Sequence, residues 1–182
     1  MNDGKILLIS GREVEPFNLK LEDIDIMDIA HSLSMQCRYA GHVPFFYSVA
    51  EHCVRAVHLC AEVWFQEDIE DLRGHELLRS ILLHDADEAY LQDMVSPVKN
   101  LPVMEAYRQA GDRAHALVAE KYEAPSMVEG AEDFRIVQKF DMAAYEWERG
   151  SIRSGRVSGL NPSDAASAFL GAWYLLRPST FG

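Results

Sequence analysis

Two histidines and two aspartates stand at places in the chain where an isolated charge is costly. His84 and Asp85 are adjacent and follow a run of apolar residues. His52 lies at the first turn of an earlier predicted helix, and Asp141 lies among apolar neighbours in a later one. Charged side chains are rarely buried unless they are paired or bound to a metal. Two imidazoles and two carboxylates from three predicted helices suit a divalent first-row metal ion.

The residue types alone leave a second interpretation open. A His–Asp pair can also lie on the polar face of a helix that is turned to solvent. Crowding favours a cation instead, because four carboxylates fall with His84 within ten residues: Asp85, Asp87, Glu88 and Asp93. Carboxylates this close repel one another, so a cation would stabilise them. Motifs for other chemistry (a GxSxG elbow, a P-loop or GxGxxG) do not occur in the sequence.

The elements that must position these residues follow from the spacing of the apolar side chains. This spacing predicts a mainly α-helical fold, a compact bundle of about six helices, with a possible β-hairpin within residues 1–20. Ser48 and Glu51 form a capping box, and Asn161 before a proline begins the last helix. The predicted helices cover about 23–40, 49–65, 75–90, 104–122, 131–148 and 161–176. On helix 75–90, Glu88 would face the same site as His84, one turn away.

Length and charge narrow the class of protein. The 182 residues make one domain, and 17 Lys and Arg against 29 Asp and Glu give a net charge of −12. So acidic a chain argues against binding to a nucleic-acid polymer or to an anionic membrane. The sequence contains no run of about 20 apolar residues. Its cysteines, Cys37, Cys53 and Cys60, include no CxxC pair. We therefore predict a cytoplasmic protein with reduced thiols that lie in the core.

Four segments surround the candidate residues in a specific order. They are Ser-Val-Ala-Glu-His at 48–52, Leu-His-Asp-Ala-Asp-Glu-Ala-Tyr at 83–90, Ser-Pro-Val-Lys at 96–99, and the aspartate at 141. Together they resemble the H…HD…D signature and flanking segments of the HD-domain metal-dependent phosphohydrolases. The resemblance covers the core at about 23–148, and the remaining ends are the possible hairpin and the helix at 161–176. Within this family, the four segments most resemble those of the deoxynucleoside 5′-monophosphatases and the small viral dATP triphosphohydrolases.

The resemblance implies a role for each motif residue. One divalent metal ion, Co or Mn in preference to Zn or Mg, would be held by His52, His84, Asp85 and Asp141. Glu88 would orient or deprotonate the attacking water, and Asp93 would act similarly or hold the sugar. The substrate-binding residues would be Arg38 and Lys99 at phosphate, Tyr39 near the base or sugar, and His42, which could reach a phosphate or serve only in packing.

The function implied by this resemblance is metal-dependent hydrolysis of a deoxynucleotide. The leading expectation is a dATP triphosphohydrolase that releases deoxyadenosine and triphosphate and acts more weakly on dADP and dAMP. One alternative is a deoxynucleoside 5′-monophosphatase, and an alternative of another class is a catalytically inactive HD domain that binds nucleotides as a sensor. The resemblance also implies a homo-oligomer and suggests a bacteriophage source, in which case the compartment would be the host cytoplasm.

Overall fold

The computed structural model describes residues 4–66, 72–125, 132–152, 154–155 and 158–181. Within these ranges the chain is mainly α-helical and carries one two-stranded antiparallel hairpin, as predicted. The strands are β1 (Ile6–Leu7) and β2 (Glu13–Val14). The helices are α1 (Ile26–Met35), α2 (Val49–Gln66), α3 (Leu72–Leu82), α4 (Glu88–Leu91), α5 (Ser96–Lys99), α6 (Glu105–Lys121), α7 (Glu132–Ser151) and α8 (Pro162–Leu176).

Helix α2 lies at the centre of the bundle and positions the first candidate ligand. It packs against α1, α3, α7 and α8, and α1 also packs against α8. Fully buried aliphatic and aromatic side chains, among them Ile29, Val49, Ile81 and Phe169, form the core between these helices. His52 is equally buried on the inner face of α2. The packing therefore places an imidazole in the interior, where α3 and α7 meet α2.

Local capping signals fix where two of these helices begin. The Glu51 N–H donates to Ser48 Oγ at 3.1 Å and the Ser48 N–H donates to Glu51 Oε2 at 3.2 Å, which is the predicted capping box. At α8, the Asp164 N–H donates to Asn161 Oδ1 at 3.0 Å. Both sets of bonds satisfy backbone donors that a helix start otherwise leaves free. The boundaries of these two helices could therefore be predicted to within a residue or two.

The N-terminal hairpin is shorter than the sequence predicts. Pairing joins Ile6 to Val14 and Leu7 to Glu13, and the residues after Glu15 turn into a 3₁₀ segment at Pro16–Asn18. Proline has no N–H to donate, so the ladder cannot continue through it. The turn is anchored instead to α1, because buried Asp28 accepts a bond from Arg12 at 2.8 Å.

The continuous helix predicted over 75–90 is wrong. Helix α3 ends at Leu82, residues 83–87 form a turn, and α4 begins at Glu88. The His84 ring bonds through Nδ1 to the Ile81 carbonyl at 2.7 Å. This bond satisfies a carbonyl that the ending helix leaves free. The turn takes His84 off the helix face and directs it toward α2 and α7.

The first helix also ends earlier than predicted, at Met35 rather than near residue 40. The next residues are extended, because Cys37 and Ser48 form an antiparallel bridge and the Arg38 N–H donates to the Tyr47 carbonyl at 2.9 Å. Tyr39 and Ala40 then adopt left-handed backbone angles, with φ of 59° and 50°. Such angles cost on the order of 1 kcal/mol or more per non-glycine residue, so tertiary contacts must hold this turn.

The remaining predicted boundaries differ by small amounts. Helix α6 matches its prediction to within a residue at each end, and α7 continues three residues past its predicted end at 148. Helix α3 begins at Leu72, three residues before its predicted start. Most of the intervals between the predicted helices at 66–74 and 123–130 lies outside the described residues. Among the helices that the structure describes, none combines the length and apolar character needed to cross a membrane.

Candidate metal centre

The four predicted metal ligands come together between α2, the 83–87 turn and α7. His52 Nε2 lies 3.1 Å from His84 Nε2 and 3.0 Å from Asp141 Oδ1. Asp85 Oδ2 lies 3.3 Å from His84 Nε2 and 3.7 Å from His52 Nε2. Both histidines are buried, whereas the Asp141 side chain is 40% exposed and leaves the cluster open to solvent on the α7 side.

The second nitrogen of each histidine is already committed to an acceptor. His52 Nδ1 bonds to Glu148 Oε1 at 2.6 Å, and His84 Nδ1 bonds to the Ile81 carbonyl at 2.7 Å. In a neutral imidazole that donates through Nδ1, Nε2 carries a lone pair. Two such lone pairs facing each other at 3.1 Å require a cation, either a proton or a metal ion. His52, His84 and Asp141 could therefore hold a metal ion, and Asp85 belongs to a second such group with His84.

The charges of the cluster support the same conclusion. Burial alone would lower the pKa of His84, but Asp85, Cys53 and Asp141 together raise that pKa well above its ordinary value. Burial would raise the pKa of Asp85 and of Asp141, yet the neighbouring histidines lower both. The carboxylates thus stabilise positive charge at Nε2, where a proton and a metal ion would compete.

Cys53 supplies another donor atom to the same place. Its Sγ belongs to a group with ligand atoms of His84 and Asp85 that all lie within 4.8 Å of one another. The side chain is fully buried, as the sequence analysis predicted for a core cysteine. Burial raises the pKa of the Cys53 thiol to about 11, so it stays protonated near neutral pH. Since the thiolate is the form that binds metals, the imidazoles and carboxylates are the better ligand set.

Glu148 is a residue of the site that the sequence analysis missed. It is completely buried, and its Oε2 accepts the Tyr39 hydroxyl at 2.6 Å and lies 3.3 Å from Arg38 Nε, while Oε1 accepts from His52. Burial would raise the pKa of Glu148, but its bond to His52 and the charge of Arg38 lower it. The only sequence signal was position, about two helical turns after Asp141 on the same face.

We expect Glu148→Gln to weaken metal binding about 10–100-fold, the usual effect of losing a carboxylate that orients a ligating histidine. Glutamine keeps the size of the side chain but lacks the charge that faces His52 and Arg38. Titration with Mn²⁺ or Co²⁺ measures the change in affinity. Glu146→Gln is the matched control, because Glu146 is exposed on the same helix. Equal metal affinity in the two variants would contradict this role for Glu148.

Arg38 and Tyr39 lie against the cluster and each contacts a carboxylate of the site, although no hydrogen bond within the described chain reaches Arg38 Nε. Arg38 Nη1 lies 3.4 Å from Asp85 Oδ2, and the side chain is 13% exposed. Burial would lower the pKa of Arg38, but Glu148 and Asp85 raise it, so the guanidinium stays charged. The Tyr39 ring is half-buried, with its centroid 6.1 Å from that of Tyr145. Contact of this ring with a base or sugar stays a prediction.

The predicted catalytic residues Glu88 and Asp93 are joined through their backbones by a residue that the sequence analysis missed, Gln36. Glu88 is buried, and no hydrogen bond within the described chain reaches its Oε2. Burial, and then the charges of Asp85 and Asp93, raise the pKa of Glu88 well above its ordinary value. Gln36 Nε2 donates to the Glu88 carbonyl at 2.9 Å, and Gln36 Oε1 accepts the Asp93 N–H at 2.8 Å. Gln36 thereby ties both residues to the end of α1.

The structure separates the remaining predicted residues. A cavity of about 650 Å³ is lined by His84, Asp85 and Asp141, and Lys99 lies on its wall. Asp93 is half-buried and lines a neighbouring cavity of about 770 Å³ beneath the hairpin. Burial raises the pKa of Asp93. His42 is exposed after the Tyr39–Gly41 turn and lines neither cavity, so the structure does not bring it to the cluster.

Fold and site together define a mainly α-helical protein with a buried His–Asp cluster suited to a metal ion. No protein-family model matches the chain. The chain is similar to the uncharacterized protein YfdR of Escherichia coli K12, with 37% identity over 123 residues, 68% of this chain and 61% of the relative. It is also similar to the uncharacterized protein RCAP_rcc00048 of Rhodobacter capsulatus, with 32% identity over 123 residues, 66% of this chain and 59% of the relative. The matches therefore span about three fifths of each relative.

Proposed function

We propose that this protein is a metal-dependent phosphohydrolase of the HD type and that its substrate is a deoxynucleotide. The leading reaction is hydrolysis of dATP at the α-phosphate, which yields deoxyadenosine and triphosphate. The observation that carries the proposal is the approach of His52 Nε2 and His84 Nε2 to 3.1 Å beside Asp85 and Asp141. The resemblance of the four segments extends the proposal to a cytoplasmic homo-oligomer.

Each residue of the cluster has a chemical task in this reaction. His52, His84, Asp85 and Asp141 would hold one divalent metal ion. Such an ion, when bound, supplies Lewis-acid polarisation of a phosphoryl oxygen and lowers the pKa of water. The Glu88 carboxylate would take a proton from the attacking water, and no hydrogen bond within the described chain occupies its Oε2.

The cationic side chains have the task of holding an anionic substrate on an acidic protein. Arg38 contacts two carboxylates of the site and is charged. Lys99 lies on the wall of the cavity that reaches His84. These two side chains offset the substrate's negative charge locally, whereas the net charge of −12 would repel it at longer range.

The preference for a purine 2′-deoxynucleotide rests on the residues next to Arg38. The family resemblance favours a sugar without a 2′-hydroxyl and puts Tyr39 near it. Tyr39 would offer its ring to a flat base, and a purine presents the larger face for such contact.

A substrate screen tests the proposed function directly. All dNMPs, dNTPs and NTPs are incubated with the metal-free protein and with Mn, Co, Mg or Zn added, and products are identified by chromatography. We expect deoxyadenosine from dATP, slower turnover of dADP and dAMP, and little reaction with ATP or without metal. Cleavage of all four dNMPs with dATP untouched would support the 5′-monophosphatase instead. Equal rates with ATP and dATP would overturn the sugar preference, and no hydrolysis of any nucleotide would overturn the enzyme.

A further inference from the structure

His115 on α6 is a second imidazole in the cavity that reaches the metal centre. Its Nε2 lies 2.8 Å from Asp87 Oδ1, and its side chain is 24% exposed. The sequence analysis gave His115 no role, because nothing in the four segments points to α6. The contact joins α6 to the turn that carries His84 and Asp85, and His115 lines the same cavity as these ligands.

The approach of Asp87 to α6 depends on a glycine. Asp87 is buried, with 3% of its side chain exposed. A Cβ on Gly111 would lie 2.9 Å from Asp87 Oδ2, closer than a side chain normally allows. The missing side chain at 111 therefore lets the carboxylate reach the helix and hold the imidazole. Burial would lower the pKa of His115, but Asp87 and Asp85 together raise that pKa, which favours the imidazolium.

Lys99 provides a second positive group on the same wall. Its side chain is half-buried, and Nζ lies 5.9 Å from the centroid of the Tyr107 ring. Within the described ranges, no carboxylate forms an ion pair with Nζ at 4.0 Å or less. Burial would lower the pKa of Lys99, but the fields of Asp87 and Glu88 raise it. The ammonium is thus held charged by several acids at a distance and has capacity to bind an anion.

The acidic residues at this end of the cavity do not block access to His115 and Lys99. Glu105 Oε2 is paired with Arg108 Nη2, and Arg108 Nη1 also donates to the Lys99 carbonyl at 2.6 Å. Asp112 lines the cavity as an exposed residue. No hydrogen bond in the described part of the chain uses His115 Nδ1, so that nitrogen can donate to a ligand.

We propose that His115 and Lys99 form a subsite for phosphate groups linked to the phosphate that is attacked. This inference rests on the proposed function, since it assumes that the reacting phosphate lies at His84 and Asp141. The cavity continues from those ligands to α6 and has room for a polyphosphate chain. A nucleoside monophosphate has no group to place against His115, whereas a triphosphate has two. The subsite would therefore make the protein a triphosphate-cleaving rather than a monophosphate-cleaving enzyme.

Inorganic phosphates test the subsite without any turnover. The Mn²⁺-loaded protein is titrated calorimetrically with tripolyphosphate and, separately, with orthophosphate. We expect His115→Gln and Lys99→Gln each to raise the Kd of tripolyphosphate about 10-fold, the usual range for losing a bond to a charged group. The Kd of orthophosphate should change less than twofold. His58→Gln, which removes an exposed imidazole from α2, should leave both values unchanged.

The outcomes separate the subsite from the proposed function. Equal losses for both phosphates would overturn the inference, because His115 and Lys99 would then act at the reacting phosphate. Unchanged tripolyphosphate binding in both variants would also overturn it. Circular dichroism checks the fold, and Lys99→Gln keeps the test decisive if loss of His115 unfolds the protein. If tripolyphosphate binding depends on these residues while no nucleotide is hydrolysed, the subsite stands and the proposed function fails.

Discussion

Replacing His84 with alanine is expected to abolish metal binding and metal-dependent hydrolysis together. The substitution removes one of the two facing Nε2 atoms and leaves Asp85 and Asp141 without the imidazole that lowers their pKa values. We expect the rate with dATP to fall to background, a loss of at least about 100-fold. Metal content after dialysis and the initial rate, measured on one preparation, check the two effects. The same result is expected for His52→Ala, Asp85→Ala and Asp141→Ala.

The interpretation of this experiment depends on whether the fold survives. His84 also caps the carbonyl of Ile81, so its loss could destabilise the end of α3. Asp141→Asn avoids that problem, because the Asp141 side chain is 40% exposed and asparagine has the same shape. His75→Ala, at an exposed position on α3, is the matched control. Full activity with unchanged metal content in either site variant would refute the ligand assignment.

The parts of the fold that depend on local chemistry could be predicted from the sequence. The capping box at Ser48 and the cap at Asn161 act between neighbouring residues, so they mark helix starts without reference to the rest of the chain. The apolar spacing of α2 and α8 likewise reports which side of each helix is buried. The convergence of His52, His84 and Asp141 was predicted because their residue types suit a metal ion and because the four segments around them resemble the HD signature.

Other features could not be predicted, because they depend on contacts across the structure. The periodicity around His84 predicts a continuous helix, but the ring binds the Ile81 carbonyl and the chain turns there. Gln36 and Glu148 carry no motif, and each gains its role from partners on other elements. His115 meets Asp87 only because Gly111 allows a close approach. Apart from the local bond between His84 and Ile81, these contacts join residues whose separation in the sequence gives no sign of their proximity.

Glu88→Gln is expected to slow hydrolysis by about 10²–10⁴-fold, the usual contribution of a general acid or base, while metal and nucleotide remain bound. Glutamine matches glutamate in size and fits the same buried space, but it cannot exchange a proton. No hydrogen bond in the described chain reaches Glu88 Oε2, and Gln36 donates to the Glu88 backbone carbonyl. The backbone of Glu88 is therefore held in place while Oε2 stays available for proton transfer. Turnover of dATP, metal content and equilibrium dATP binding are measured on the same protein.

The pattern of these three measurements distinguishes proton transfer from support of the metal centre. A slow variant that retains metal and dATP has lost a chemical step, because binding is intact. Loss of metal together with the rate would mean that Glu88 shapes the ligand cluster instead, and a rate near that of the native protein would remove it from the mechanism. Glu76→Gln, at an exposed position on α3, controls for the loss of one negative charge. Glu76 lies on α3, before the 83–87 turn. This control therefore changes the net charge equally and leaves the turn around the metal centre untouched.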